Sequence, residues 1–471
     1  MKGVYTVSQI RAAEDSLLAT LPDGALMARA SFALAVESTR LLGTVYGAPV
    51  ALLVGAGNNG GDALYAGAEL ARRGARVTAL LLDSGRAHGG GVAALRAAGG
   101  VIALASPELI EGAALVIDGM VGIGGTGALR PLGASLAEAA EPVLTVAVDL
   151  PSGVDADTGA VVGPAVRADV TVTFGALKPG LLVGAGAELA GEVRLVEIGL
   201  DLPEPSVNVL EAADVRAVLA SPEAHDDKYT RGVTGVVVGS SHYGGAGVLA
   251  TGAALAGGAG MVRYAGLAPE PVRARYPEVV VHAAPPSELR VQSWVVGPGL
   301  GTDDVARGLL ADVLSTDVPV LVDADAITLL GDSPDLVSGR TAPTVITPHD
   351  REFARVAGPV GDDRIGAARG AAKHLGAVVL LKGNATVVAH PDGTVFLNPT
   401  GTPWLATAGS GDVLSGLIGS LLASGMPAAL AAATGAYVHG VAGQIAAADG
   451  PPSAADVLDA LRPAIGRVRS V

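Results

Sequence analysis

Two consecutive α/β domains, each layering helices on both faces of a parallel sheet, are the fold this sequence predicts. Three observations carry the expectation. The chain has 471 residues, more than one hydrophobic core usually organises. Short apolar runs alternate with helical patterns in both halves, the signature of βαβ units. Around Leu202–Ala212 the alternation breaks at a proline-rich connector, Leu202-Pro203-Glu204-Pro205-Ser206. The expected domains are therefore residues 1–208 and 209–471.

Taken in order, Ser8–Leu21 and Ala25–Leu42 repeat apolar residues at three- and four-residue spacing and read as helices. Pro49–Val54 is a short apolar run, a buried strand. Gly55-Ala56-Gly57-Asn58-Asn59-Gly60-Gly61-Asp62 follows, then a helix to about Arg73 and a strand at Arg76–Leu82. Strand, glycine turn, helix, strand is one βαβ unit. Ala114–Asp118, Val143–Leu150 and Val170–Phe174 read as further strands, giving a Rossmann-like three-layer α/β/α domain. Beyond the connector, Gly235–Gly239, Trp294–Val296, Pro319–Ala324, Thr344–Ile346 and Ala377–Leu381 read as strands. Val387–His390 and Thr394–Leu397 flank Pro391-Asp392-Gly393 as a hairpin. Three helices close the chain.

Half of the residues are hydrophobic and 16% are charged, a composition that buries large cores and argues against disorder. The absence of cysteine excludes disulfides, thiolate metal sites and a cysteine nucleophile. A net charge of −15 disfavours nucleic acid as a partner, and scarce aromatics disfavour stacking on single strands. No apolar stretch reaches membrane-spanning length before a glycine or charge breaks it. A cytoplasmic, homo-oligomeric protein with no membrane partner is expected.

The glycine loops carry the chemistry. Thr407-Ala408-Gly409-Ser410-Gly411-Asp412-Val413-Leu414-Ser415 packs glycines, serines and a carboxylate into a turn that opens an apolar helix. Backbone N–H groups and the positive dipole end there suit a phosphoryl group in transfer. Asp412 beside them is placed to accept a proton from an attacking hydroxyl, or else only to cap the helix. Gly55–Gly60 matches G-x-G-x-x-G, and Asp83 stands near the place of a ribose-binding acid, so a dinucleotide dehydrogenase is one reading. Against it, Asp62 is expected where the helix begins, competing with a pyrophosphate for the same N–H groups. Two more loops begin with an acid at a strand end, Asp118–Gly127 and Asp149–Gly159. Two acids, an asparagine and a serine offer only hard oxygen ligands, which suit an alkali or alkaline-earth cation, unless the acids merely cap their loops.

Asn58–Asp62, Asp118–Ala128 and Ala147–Gly153 together resemble the three signature loops of the NAD(P)H-hydrate epimerase family, over about residues 1–205. The resemblance implies that Asn58, Asn59, Gly60, Gly61, Asp62, Gly122, Ile123, Gly124, Gly125, Thr126, Gly127, Ala128 and Asp149 line a hydrated-nicotinamide site. It implies potassium held by Asn59, Asp118 and Ser152, with Asp149 as the acid/base group. In the second half, Gly235–Ser240, Gly297–Gly301, Thr347–Phe353, Lys382–Thr386 and Gly409–Asp412 resemble the ADP/ATP-dependent NAD(P)H-hydrate dehydratases of ribokinase-like fold, over about residues 225–465. That resemblance implies nucleotide binding by Lys382, Gly383, Asn384, Ala385, Thr386, Gly409, Ser410 and Gly411. It places the hydrate near Ala246, Gly301, His349 and Asp412. Magnesium with ADP or ATP is expected as cofactor. No Walker A motif is present.

Both halves then converge on one substrate, the hydrate of NADH or NADPH: epimerisation in the first half, phosphorylation and phosphate loss in the second. Two rivals stay open at this point: a ribokinase-like kinase of a small alcohol fused to a Rossmann-like binding domain, and a nucleotide sensor without turnover.

Overall fold

The apolar runs of the first half assemble into a sheet whose strands are all parallel, in the order Val101–Leu104, Arg76–Leu81, Pro49–Val54, Leu115–Gly119, Thr145–Val148, Val170–Phe174, Glu192–Val196. This computed structural model describes every residue except Ala220, Pro334 and Val471. Leu52, Val54, Ile117, Val146 and Val172 point to one face and pack under the helices Ala25–Leu42 and Asn58–Arg72. Leu53, Leu80 and Val116 point to the other, against Pro131–Ala140. Burial on both faces explains why these strands read as continuous apolar runs rather than as alternating ones.

Pro49–Val54 is an inner strand, with Arg76–Leu81 on one side and Leu115–Gly119 on the other. The strand order reverses there, so the loops after Val54 and Gly119 part and leave a crevice at the strand C-termini. Gly55 is required at its base, because a Cβ there would come within 1.8 Å of the Met120 carbonyl oxygen.

The chain divides into Gly3–Pro205 and a second unit made of Ser206–Val471 with Met1–Lys2. The division falls three residues before the expected 208, because Val207–Val209 is a strand of the second sheet. Inward of an edge strand, Lys2–Val4, that sheet runs Val207–Val209, Val395–Asn398, Thr386–Ala389, Val378–Leu381, Thr344–Ile346, Val320–Val322, Ser293–Val296, Val233–Val237, Met261–Tyr264, Val280–Val281. It is parallel except around the expected hairpin, where Thr386–Ala389 pairs antiparallel to both neighbours. The three closing helices are Ser410–Ala423, Ala428–Ala446 and Ala454–Arg469. Ser410–Ala423 is buried from Val413 onward, while Gly411 and Asp412 in its first turn are only partly covered. Among the described residues no helix is long and apolar enough to cross a membrane.

Candidate active sites

In the first unit the crevice is a cavity of about 1440 Å³, large enough for a dinucleotide. Asn58, Asn59 and Asp62 line it, as do Gly122–Ala128 and Asp149. Gly60 and Gly61 were expected there too but belong to the packing: a Cβ on Gly60 would sit 2.4 Å from the Gly55 carbonyl oxygen, and one on Gly61 would sit 2.9 Å from Met27 Cε. A second correction concerns Asp62. The helix begins at Asn58, after an N-cap at Gly57 that no side chain caps, so Asp62 lies in the second turn and not at the start. It is buried, and its Oδ1 has no hydrogen-bond partner.

Asp149 ends its strand in a left-handed conformation, φ 67°, which non-glycine residues rarely adopt. Such strain survives where the surroundings hold it. Here one carboxylate oxygen, Oδ1, accepts from Lys178 Nζ at 2.5 Å, Phe174 N at 3.1 Å and Thr173 Oγ1 at 3.2 Å. Lys178 is itself fully buried and donates further to Thr173 Oγ1 and the Phe174 carbonyl. The neighbouring acids respond to this crowding. Burial, then the charges of Asp149 and Glu14, push Asp62 well above the usual carboxylate range. Burial, then Asp149, raises Glu14, with Lys178 opposing.

Asp118 and Ser152 lie beneath the cavity and not on its wall. Asp118 accepts from Ser152 N at 2.8 Å, Ser152 Oγ at 2.7 Å and Met120 N at 3.2 Å. Burial nevertheless raises its pKa to about 6, because these hydrogen bonds lower it by less. No Lys or Arg pairs with it among the described residues. Asn59 lies against Gly122, and its Nδ2 is buried without a partner.

In the second unit Gly409, at φ 90°, is the N-cap of Ser410–Ala423, and no side chain caps that helix. Asp412 stands in its first turn and is therefore not the cap. Burial, then the charge of Asp323, raises Asp412 to about 7; Lys382 opposes the shift and Asp325 adds to it. One turn on, Ser415 Oγ donates to Asp323 Oδ2 at 2.7 Å. Lys382 Nζ donates to Asp323 Oδ1 at 2.8 Å and lies 3.5 Å from Glu352 Oε2. The sequence suggested a lysine whose charge is available for phosphates; in the structure that charge is largely matched by these two acids.

His349 ends the loop after Thr344–Ile346 and is the N-cap of Asp350–Ala357. Its Nδ1 accepts from Glu352 N at 3.1 Å, and Glu352 accepts from His349 N at 2.9 Å. Gly301, at φ 89°, donates its N–H to Asp325 Oδ2 at 2.8 Å. Ala246 packs against Gly299 of the same loop. Gly411 is open, its nearest neighbours being Lys382 Nζ and Asp323 Oδ2, whereas Ser410 Oγ is spent on the Leu405 carbonyl at 2.6 Å. Gly383 and Asn384 are exposed, Ala385 is half-buried, and Thr386 begins its strand. The sequence reading missed Glu14, Thr173 and Lys178 in the first site, and the pairing of Asp323, Glu352 and Ser415 in the second. A lysine inside the otherwise uncharged stretch Phe174–Val183 was the one signal that could have pointed to Lys178.

Comparison with known proteins assigns both halves. Residues 234–462 match the family model for NAD(P)H-hydrate dehydratase, and residues 23–180 match that of the YjeF-related protein N-terminus. The chain is 55% identical over 460 residues to the bifunctional NAD(P)H-hydrate repair enzyme Nnr of Mycobacterium leprae, covering 96% of both. It is 36% identical over 423 residues to the enzyme of that name from Escherichia coli, covering 84% of this chain and 80% of that one. The crystal structure of ADP/ATP-dependent NAD(P)H-hydrate dehydratase from Bacillus subtilis, co-crystallised with ATP and magnesium, is similar at 28% identity and a TM-score of 0.51, over 55% of this chain and 97% of that one. A ribokinase-like superfamily protein from Enterococcus faecalis is similar at 26% identity and a TM-score of 0.53, over 57% of this chain and 99% of that one.

Proposed function

The chain belongs to the bifunctional NAD(P)H-hydrate repair enzymes, and from that membership we propose how its residues divide one repair between two units. NADH or NADPH that has taken up water carries a hydroxyl on a ring carbon, in R or S form, and no longer donates hydride. The first unit interconverts R and S. The second phosphorylates the S hydroxyl from ADP or ATP and expels phosphate, restoring the dihydropyridine.

In the second unit Asp412 takes the hydroxyl proton as that oxygen attacks the terminal phosphoryl group. The uncapped N–H groups of Ser410–Ala423 receive the charge on the moving group. Phosphate then leaves with the C–O bonding electrons, and loss of a proton from the adjacent ring carbon re-forms the double bond. Lys382–Thr386 and Gly409–Gly411 form the nucleotide side; Ala246, Gly301 and His349 form the hydrate side. Magnesium supplies charge neutralisation to the phosphates when bound. No cluster of three His, Cys, Asp or Glu among the described residues forms a ready cage, so the ion fits as one carried by the nucleotide, with Asp325 as the acid available to it.

The observation that carries this reading is a carboxyl of raised proton affinity beside an uncapped helix start. Its test is incubation with NADH hydrate, ADP and magnesium while following the absorbance of reduced nicotinamide. A stable phosphorylated product would favour a simple kinase instead. The raised Asp412 also predicts a pH profile. A base works only when deprotonated, so kcat/KM for dehydration rises with pH and levels off above about 7. A flat profile between about pH 5 and 8 would remove Asp412 from the base role.

In the first unit, the loops Asn58–Asp62 and Gly122–Ala128 embrace the hydrate and Asp149 exchanges protons at the hydroxyl carbon. Potassium fits beside Asn59, Asp118 and Ser152: a buried carboxylate lacks a counter-charge, and turning the Asn59 amide by half a rotation puts its oxygen where Nδ2 is orphaned. When bound it compensates that charge and orders the two loops. Potassium should therefore raise the unfolding temperature of the protein near neutral pH, and less so below about pH 6, where Asp118 gains a proton. Asp118→Asn should abolish the potassium effect and slow epimerisation. An epimerase rate unchanged across a potassium titration would sink the assignment.

A further inference from the structure

Asp149 alone leaves the epimerisation half explained. The hydroxyl carbon also bears the ring nitrogen, so it inverts if hydroxide leaves from one face and water enters at the other. That route needs a proton donor for the departing oxygen and a proton acceptor for the entering one. Resting on the reading of the first unit as the epimerase, we propose that Asp62 is a second catalytic residue, a carboxylic acid that gives its proton to the departing hydroxyl while Asp149 takes the proton of the entering water.

Three structural observations carry this. Asp62 lines the cavity yet is only 8% exposed, and its Oδ1 has no partner in the protein. A buried polar atom without a partner is costly unless a ligand completes it. Asp149, by contrast, is held by three donors, one of them the ammonium of Lys178. The two acids therefore sit in different environments, one with a buried oxygen that no donor reaches and one with three donors on a single oxygen, a contrast of the kind that divides acid from base within one site. They also come from different elements, Asp62 from the helix Asn58–Arg72 and Asp149 from the end of the strand Thr145–Val148. The charged and titratable groups around Asp62 are Asp149 and Glu14, with Arg11, Asp15 and Lys178 around Glu14; His88, from the start of Gly89–Ala97, closes over Gly61. No cation offsets the burial and the neighbouring acids at Asp62 among the described residues, so its carboxyl holds its proton more tightly than an ordinary carboxylic acid does.

The step balances without any further reagent. The C–O bond breaks with its electrons on oxygen, the Asp62 proton makes that oxygen water, and the ring-nitrogen lone pair forms C=N. Water then adds to the other face, the π electrons return to nitrogen, and the surplus proton goes to Asp149. One turnover moves one proton from Asp62 to Asp149, and solvent in the cavity returns it. The opposite epimer uses the same two groups with roles exchanged.

The test uses the full chain with Asp62→Asn, which keeps the shape and removes the acid. R-to-S conversion, followed by resolving the epimers, should fall by about a hundredfold to ten-thousandfold. KM for the hydrate should change little, and dehydration of S by the second unit, an internal check of folding, should stay at the wild-type rate. Wild type should lose epimerase activity as pH rises and Asp62 ionises; the residual activity of the variant should lack that alkaline limb. Asp62→Glu should recover part of the rate and the limb with it. Wild type in ¹⁸O-water should place solvent oxygen in the product at each conversion. Wild-type rates in Asp62→Asn, an unchanged alkaline limb, or conversion without ¹⁸O uptake would each overturn the inference. Absence of epimerisation by the wild type would instead strike the reading of the unit itself.

Discussion

Asparagine at position 412 stops recovery of reduced nicotinamide from either epimer of the hydrate, while R and S still interconvert at the wild-type rate. The loss expected for a missing general base is about a hundredfold to ten-thousandfold. Asparagine matches the carboxylate in shape but takes up no proton. The fold should not suffer. Asp412 holds its proton more tightly folded than unfolded, so its ionisation costs stability as pH rises from the ordinary carboxylate range through about 7. Above that pH the substitution removes the cost, and the unfolding temperature should be equal or higher. A wild-type rate of NADH formation from the S form in this variant would displace Thr407–Ser415 from the centre of the dehydratase.

Asp149→Asn should do the reverse. Recovery from S stays near normal, and recovery from R falls to the uncatalysed epimerisation rate, read against a control without enzyme. Asparagine is also the replacement best suited to the left-handed backbone at this position, whereas alanine or leucine would add strain to the lost chemistry. Mixing the 149 and 412 variants should restore fast use of R, because the S form diffuses from one protein to the other. If the mixture stays slow, the two reactions do not run in separate units of the chain.

The layered fold and the loops at strand ends were legible in the sequence because both are local. Ala25–Leu42, Pro49–Val54 and Val170–Phe174 lie where periodicity placed them. Val143–Leu150 shortens to Thr145–Val148 because Asp149 turns out of the strand, which no periodicity announces. The helix Gly89–Ala97 was missed since three glycines open it; His88, accepting from Gly91 N, caps it instead. The strand Glu192–Val196 was missed for want of a buried apolar run, as its residues are only partly covered. The candidate sites were half legible. Asp149 and Asp412 stand in motifs, but what tunes them lies far along the chain: Lys178 is 29 residues from Asp149, and Asp323 is 59 from Lys382 and 92 from Ser415. Pairings over such distances exist only once the sheets have formed.

The strand Val207–Val209 has a consequence for how the protein is made. Every strand of the first sheet has left the ribosome by the time Pro205 emerges, so that half can fold while synthesis continues. Val207–Val209 then appears at once but pairs with Val395–Asn398, near the far end of the translated message. Lys2–Val4, its neighbour on one side, is made early, but the side that faces Val395–Asn398 stays unpaired through most of elongation, and the parallel sheet beyond is of the slow-closing, non-local kind. The nascent second half is therefore the part that closes last, and a ribosome stalled before codon 395 would carry a completed first sheet trailing an unclosed, aggregation-prone tail.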